Sequence, residues 1–184
     1  MIAIIGIGAI GSWLALYLAR PEWELLLWDD DRVEQENLAT SAFLEHHVGA
    51  FKSIVASELA AGKGCRARFI TDTLTNTNWL KMHPENLDLV IDCLDNAPSR
   101  RVLHRRPVPT IHVGVSDAGS GAVIWDENYQ VPEDGYERGE NPTCTHALNK
   151  AVLRMVATTA ASVVEDFMDS GIRRDQLVTS RKAL

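Results

Sequence analysis

MIAIIGIGAIGSWLALYL (residues 1–18) runs from an unbroken apolar stretch through the turn Gly6-x-Gly8-x-x-Gly11 into an amphipathic segment. A strand, a glycine turn and the start of a helix in that order form the phosphate-binding unit of a nucleotide fold. Gly8 lets backbone approach a phosphate, and the helix N-terminus offers amide donors and a positive dipole end. A second apolar run, LLLWDDDRVEQENL (residues 25–38), places Asp29 where a ribose-binding acid is expected. A third, LVIDCLDNAPSRR (residues 89–101), ends in acids and an amide. Ligands of open parallel sheets bind outside the carboxyl ends of the strands, so Gly8, Asp29, Asn37, Asp92 and Asp95 are expected to converge on one pocket.

The rest of the chain alternates between strand and helix periods. Strands are expected at residues 2–5, 24–28, 66–70, 87–92, 110–113 and 122–125, and helices at 10–19, 41–61, 76–82, 97–105 and 145–168. This pattern predicts a single α/β domain: a doubly wound, mostly parallel, Rossmann-like sheet with helices on both faces. The domain is expected over residues 1–170. The acidic segment DENYQVPEDGYERGENP falls within it, with residues 126–143 forming a crossover loop, and residues 171–184 form a polar, loosely packed tail.

Composition narrows the function. The chain has 184 residues, 46% of them hydrophobic, and a formal net charge of -7. Such acidity argues against binding a nucleic acid polymer, which needs clustered Lys and Arg, but allows one mononucleotide held by amides and a metal. No apolar run approaches the roughly 18 to 20 residues of a membrane span, and the opening lacks the basic flank of a secretory signal, so a cytoplasmic location is expected. The three cysteines, Cys65, Cys93 and Cys144, form neither a disulfide framework nor a Cys-x-x-Cys metal pair, and no zinc is expected. His46, His47 and His112 read as ordinary surface and core histidines.

Four ordered motifs, GIGAIGS (6–12), DDDRVEQENL (29–38), VGAFK (48–52) and DCLDNAPSR (92–100), resemble the ThiF/MoeB adenylating enzymes, the bacterial relatives of ubiquitin-activating enzymes. The family pattern is a glycine loop, then D-x-D-x-V-x-x-x-N-L, V-G-x-x-K and D-C-x-D-N-x-x-x-R, and the similarity runs from Met1 to about Thr145. The resemblance implies ATP-dependent adenylation of a carboxylate with release of pyrophosphate. The carboxylate is commonly the C-terminus of a ubiquitin-like, β-grasp protein; a small-molecule acid is the other candidate. It implies a nucleotide site of Gly6, Gly8, Gly11, Asp29 on the ribose, Asp31, and Asn37 and Lys52 on the phosphates. Asp95 would hold Mg2+, and Arg100 matches the motif arginine. Taken singly, Lys52 also reads as an exposed helix lysine, and Asp92 or Asp95 as a cap of the following helix. Cys144, in ENPTCTHA, resembles the thioester cysteine of ubiquitin-activating relatives.

The chain departs from the pattern where a phosphate-contacting arginine usually follows N-L, since Asn37-Leu38 leads into Ala39-Thr40-Ser41. Family members also usually begin with a helix whose arginine reaches the neighbouring subunit, whereas this sequence opens on the first strand. Relatives of this type are dimers, so a homodimer or heterodimer is expected. An adenylyltransferase is the first reading, a nucleotide-binding pseudo-enzyme subunit paired with an active relative the second, and an NAD-dependent dehydrogenase the third.

Overall fold

A computed structural model describes residues 1–116, 120–132 and 150–179. Seven strands, β1 (Ile2–Ile5), β2 (Glu24–Trp28), β3 (Arg66–Ile70), β4 (Leu89–Asp92), β5 (Thr110–Val115), β6 (Ser120–Trp125) and β7 (Gln176–Thr179), form one sheet in the order β3-β2-β1-β4-β5-β6-β7. The first five strands run parallel, while β6 and β7 pair antiparallel at one edge. The helices are α1 (Gly11–Leu18), α2 (Lys52–Ala61), α3 (Ala97–Leu103) and α4 (Lys150–Ser170). The sheet is mostly parallel, with helices on both faces, as the sequence predicts.

Two-residue periodicity sorts the strand side chains. Ile2, Ile4, Leu25, Leu27, Leu89 and Ile91 join a large core with α1, α2 and α4. Ala3, Ile5, Leu26, Trp28 and Val90 face the other way, onto α3 residues Val102 and Leu103 and the turn residue Met82. Central strands buried on both faces explain the continuous apolar runs. The apolar stripe of α4 is core: Val152, Leu153, Val156, Ala160 and Val164 are buried.

Three segments differ from expectation. The helix expected from Ser41 is confined to Lys52–Ala61. Before it, Gly49 adopts φ +90, the Gly49 amide donates to the Val33 carbonyl and the Val33 amide to Ala50, and Arg32 bridges to Phe51. This pairing outcompetes helical bonding and puts Lys52 at the head of α2, facing the acids after β2. The segment expected over 76–82 shrinks to a 3-10 turn, Trp79–Met82. The tail is not loose throughout, because Gln176–Thr179 pairs with β6 and buries Val178.

Candidate nucleotide site

Strand order turns back on itself at β1, between β2 and β4, and a cleft of about 550 Å³ opens at the carboxyl ends of these strands. Its lining includes Gly6, Gly8, Asp29, Asp31, Asn37, Lys52, Asp95 and Arg100. Eight residues assigned by sequence therefore share one cavity at the switch point, where open α/β sheets hold ligands.

The three glycines do different work. Gly6 has φ +87, and a Cβ there would lie 2.9 Å from the Cys93 carbonyl carbon. Gly11 sits behind the loop, where a Cβ would meet the Gly6 carbonyl oxygen at 2.0 Å. Gly8 has nothing within 4 Å of the corresponding point, so its bare Cα faces open cleft.

Asp29 ties the glycine loop to β2. Its carboxylate accepts the Ile7 amide at 2.6 Å and the Asp31 amide at 2.8 Å. Each oxygen keeps lone pairs for a further donor such as a sugar hydroxyl. Burial lifts the Asp29 carboxyl to about 6, against the opposing pull of Lys52 and the two amides.

Lys52 is 9% exposed and its ammonium donates to Asp31 at 2.7 Å. Burial alone would lower its pKa, but the carboxylates of Asp29, Asp31 and Asp95 outweigh that and hold it above the ordinary lysine value. Asn37 accepts the Glu34 amide through Oδ1 at 2.9 Å, and among the described residues Nδ2 has no partner, so the amide presents its donor end. Asp95 is exposed on the cleft wall and touches only the Asn96 amide at 3.5 Å among the described side chains. It does not cap α3; Asn96 does, accepting the Ser99 amide at 2.9 Å.

Two residues sit differently from their sequence reading. Asp92 is fully buried and does not line the cleft; it accepts the Leu94 amide at 2.9 Å and contacts His112 at 2.7 Å. As the last residue of β4 it shares the α3 face of the sheet with Val90, and its carboxylate turns to His112 on the neighbouring strand instead of into the cleft. Arg100 lines the cleft, but its guanidinium donates to the Leu94 carbonyl, and to the Tyr129 hydroxyl at 2.6 Å. Its donors brace the loop carrying Asp95. Burial pushes the Cys93 thiol well up, with Asp92 adding to it, so it is no nucleophile at neutral pH. Cys144 lies outside the described residues.

Sequence reasoning missed Asp30, Glu34 and Glu36 as cleft residues, while Thr40, read at the position of the family's arginine, does line the cleft. Among the described residues the acidic lining is Asp29, Asp30, Asp31, Glu34, Glu36 and Asp95, opposed by Lys52 and Arg100. The run of acids after β2 was a visible signal, but only the fold of residues 29–41 aims it inward. Among the described residues no helix is long and apolar enough to cross a membrane.

The fold matches E. coli MccB solved with MccA-N7isoASN, at 20% identity and TM-score 0.76, over 94% of this chain and 57% of that one. MccB solved with ATP matches at 20% identity and TM-score 0.73, over 94% and 56%. E. coli TcdA, a tRNA N6-threonylcarbamoyladenosine dehydratase solved with ATP, matches at 20% identity and TM-score 0.69, over 92% and 86%. The chain thus spans less than two thirds of MccB. A comparison with the sequences of curated proteins returned no match. The ThiF family model matches residues 1–172, nearly the whole chain, and the protein belongs to the ThiF family.

Proposed function

We propose that this chain uses ATP to adenylate a carboxylate, the C-terminus of a ubiquitin-like, β-grasp protein or peptide, or a small acid. The observation that carries this reading is the single cleft shared by Gly8, Asp29, Asn37, Lys52 and Asp95. In the reaction a carboxylate oxygen attacks the α-phosphorus, the bond from phosphorus to the α,β-bridging oxygen breaks, and pyrophosphate leaves with the electron pair. Asp29 takes the ribose hydroxyls, Gly8 gives the phosphates room, and Lys52 and Asn37 donate to phosphate oxygens. Donors already in place where charge grows are effective because they need not reorganise.

Asp95 suits magnesium, since an exposed carboxylate on the cleft wall is the hard oxygen donor that ion takes. Bound there, the ion supplies neutralisation of phosphate charge. Six carboxylates against two cations among the described lining residues make that need acute, and ATP binding is expected to depend steeply on magnesium. Exchange of labelled pyrophosphate into ATP, stimulated by peptides with free C-terminal carboxylates or by small acids, tests the proposal. Tight binding of NAD in preference to magnesium-ATP rejects it.

A second reading is favoured by Thr40. It lines the cleft where the family pattern carries an arginine, and threonine cannot replace a guanidinium. In that reading the chain binds ATP, shows no exchange alone, and works as a subunit beside an active relative. Either reading makes the protein one half of a homodimer or heterodimer. Cys144 is then a thioester candidate only if a reductant-sensitive conjugate with the acyl substrate forms and is lost in Cys144→Ala.

The Asp29 carboxyl sets a pH dependence. Its folded value of about 6 lies above the ordinary 3.8, so this group favours the folded state below pH 4, and that contribution fades as pH rises to 6. Nucleotide binding has the opposite sign, because sugar hydroxyls donate to the ionised carboxylate. ATP affinity is expected to be flat above pH 7 and to weaken about tenfold by pH 5, one unit below that value. Calorimetric titration across this range checks it, and Asp29→Asn should remove the slope.

A further inference from the structure

Beneath α3, apart from the nucleotide cleft, four side chains form a chain of contacts that the adenylation chemistry does not use. Asp92 reaches His112 Nδ1 at 2.7 Å, His112 Nε2 reaches Asp126 Oδ1 at 2.9 Å, and His104 Nδ1 meets the same oxygen at 2.7 Å. The Asp92 and His112 side chains are 0% and 1% exposed. Asp126 Oδ2 accepts the Arg105 amide at 2.8 Å, which fixes the orientation of that carboxylate.

With the Asp92 carboxylate on Nδ1, the proton of neutral His112 sits on the inner nitrogen. Nε2 then turns a lone pair toward an ionised oxygen. A lone pair facing a carboxylate at hydrogen-bonding distance needs a cation between them, either a second proton or a metal ion. Two imidazoles and a carboxylate around one point, the buried imidazole held from behind by a second carboxylate, match the ligands and outer partner of a zinc-type centre.

We propose that His104, His112 and Asp126 bind one divalent transition metal ion of the zinc class, with Asp92 orienting His112. Nitrogen and oxygen ligands without sulfur suit zinc, cobalt or nickel and disfavour calcium and magnesium. Metal bonds of about 2.0–2.2 Å need ligand atoms about 3.3 Å apart, so the contacts must open by about half an ångström. The His104 and Asp126 side chains, 20% and 15% exposed, give the ion a route from solvent and room to shift. The Tyr129 ring, stacked on His112 at 3.6 Å and 7°, covers one face of the imidazole. His104 ends α3, His112 lies on β5 and Asp126 follows β6, so one ion would tie these three elements together.

The purified 184-residue chain stripped by chelator and titrated with Co2+ provides the test. The expected result is one equivalent bound, with visible d–d absorption and no thiolate charge-transfer band, and displacement by Zn2+ that raises Tm. His104→Ala and Asp126→Asn should each weaken binding at least about tenfold, and Asp92→Asn by about 10- to 100-fold. His46→Ala, which removes an exposed imidazole away from the proposed ligands, should leave the binding stoichiometry and affinity unchanged. The proposal is overturned by a Tm indifferent to micromolar metal, by a thiolate band, or by affinity that survives His104→Ala. A Tm that responds to acid alone would assign the cation between His112 and Asp126 to a proton and overturn it equally. The spectrum of the unaltered chain decides the ligand type even if a variant fails to fold.

Discussion

In Lys52→Met, pyrophosphate exchange should fall by about 10²- to 10³-fold, the loss typical of removing one placed donor from a developing charge. The stem of Lys52 is buried and methionine replaces it, so packing survives. The partner carboxylate of Asp31 is 68% exposed and returns to water, so folding stability should change by less than about 1 kcal/mol. The variant also removes the cation nearest Asp29, so the pH midpoint of nucleotide binding should move above 6. Exchange assays paired with thermal melts separate the two effects. Activity within about tenfold of the parent would mean that phosphate charge is met elsewhere.

Gly11→Ala should destabilise the fold by about 3 kcal/mol or more, a large share of the roughly 5–15 kcal/mol that holds a domain together. The added methyl would stand 2.0 Å from the Gly6 carbonyl oxygen, and Gly6 has little room to yield, since even a Cβ on it would lie 2.9 Å from the Cys93 backbone. Gly8→Ala is the matched contrast. Its methyl meets nothing within 4 Å, so stability should stay within about 1 kcal/mol while ATP affinity drops about tenfold or more. Melting curves and nucleotide titration on both variants check the pair. Equal stability of the two would show that the loop can relax in a way this packing forbids.

How much was legible follows from the range of the forces involved. Periodicity placed β1, β2 and β4 and their two-sided burial, because each apolar run carries its own record of two faces. The glycine turn and Asp29 were legible because loop and strand are close in sequence. Lys52 is legible from its motif and does line the cleft, but its placement at a helix head depends on Gly49 and on pairing with Arg32–Val33, which no local propensity encodes. Asp92 and His112 could not be linked beforehand, because their partnership is set by β4–β5 register. Arg100 carried the right motif position and a role visible only with Tyr129 beside it. The β7 strand was hidden in a polar segment because an edge strand buries little, here Val178 alone.

The binding of Leu94 at both ends has a mechanical result. Its amide is held by Asp92 and its carbonyl by Arg100, and Arg100 is itself anchored to Tyr129. The opposite side of the cleft, the short turn Gln35–Ala39, has no buried residue. One jaw of the cleft is therefore an anvil and the other a finger. The turn is the wall expected to give when a ligand enters, and substitutions that stiffen residues 35–39 are expected to change the rates of nucleotide association and release more than they change the position of Asp95.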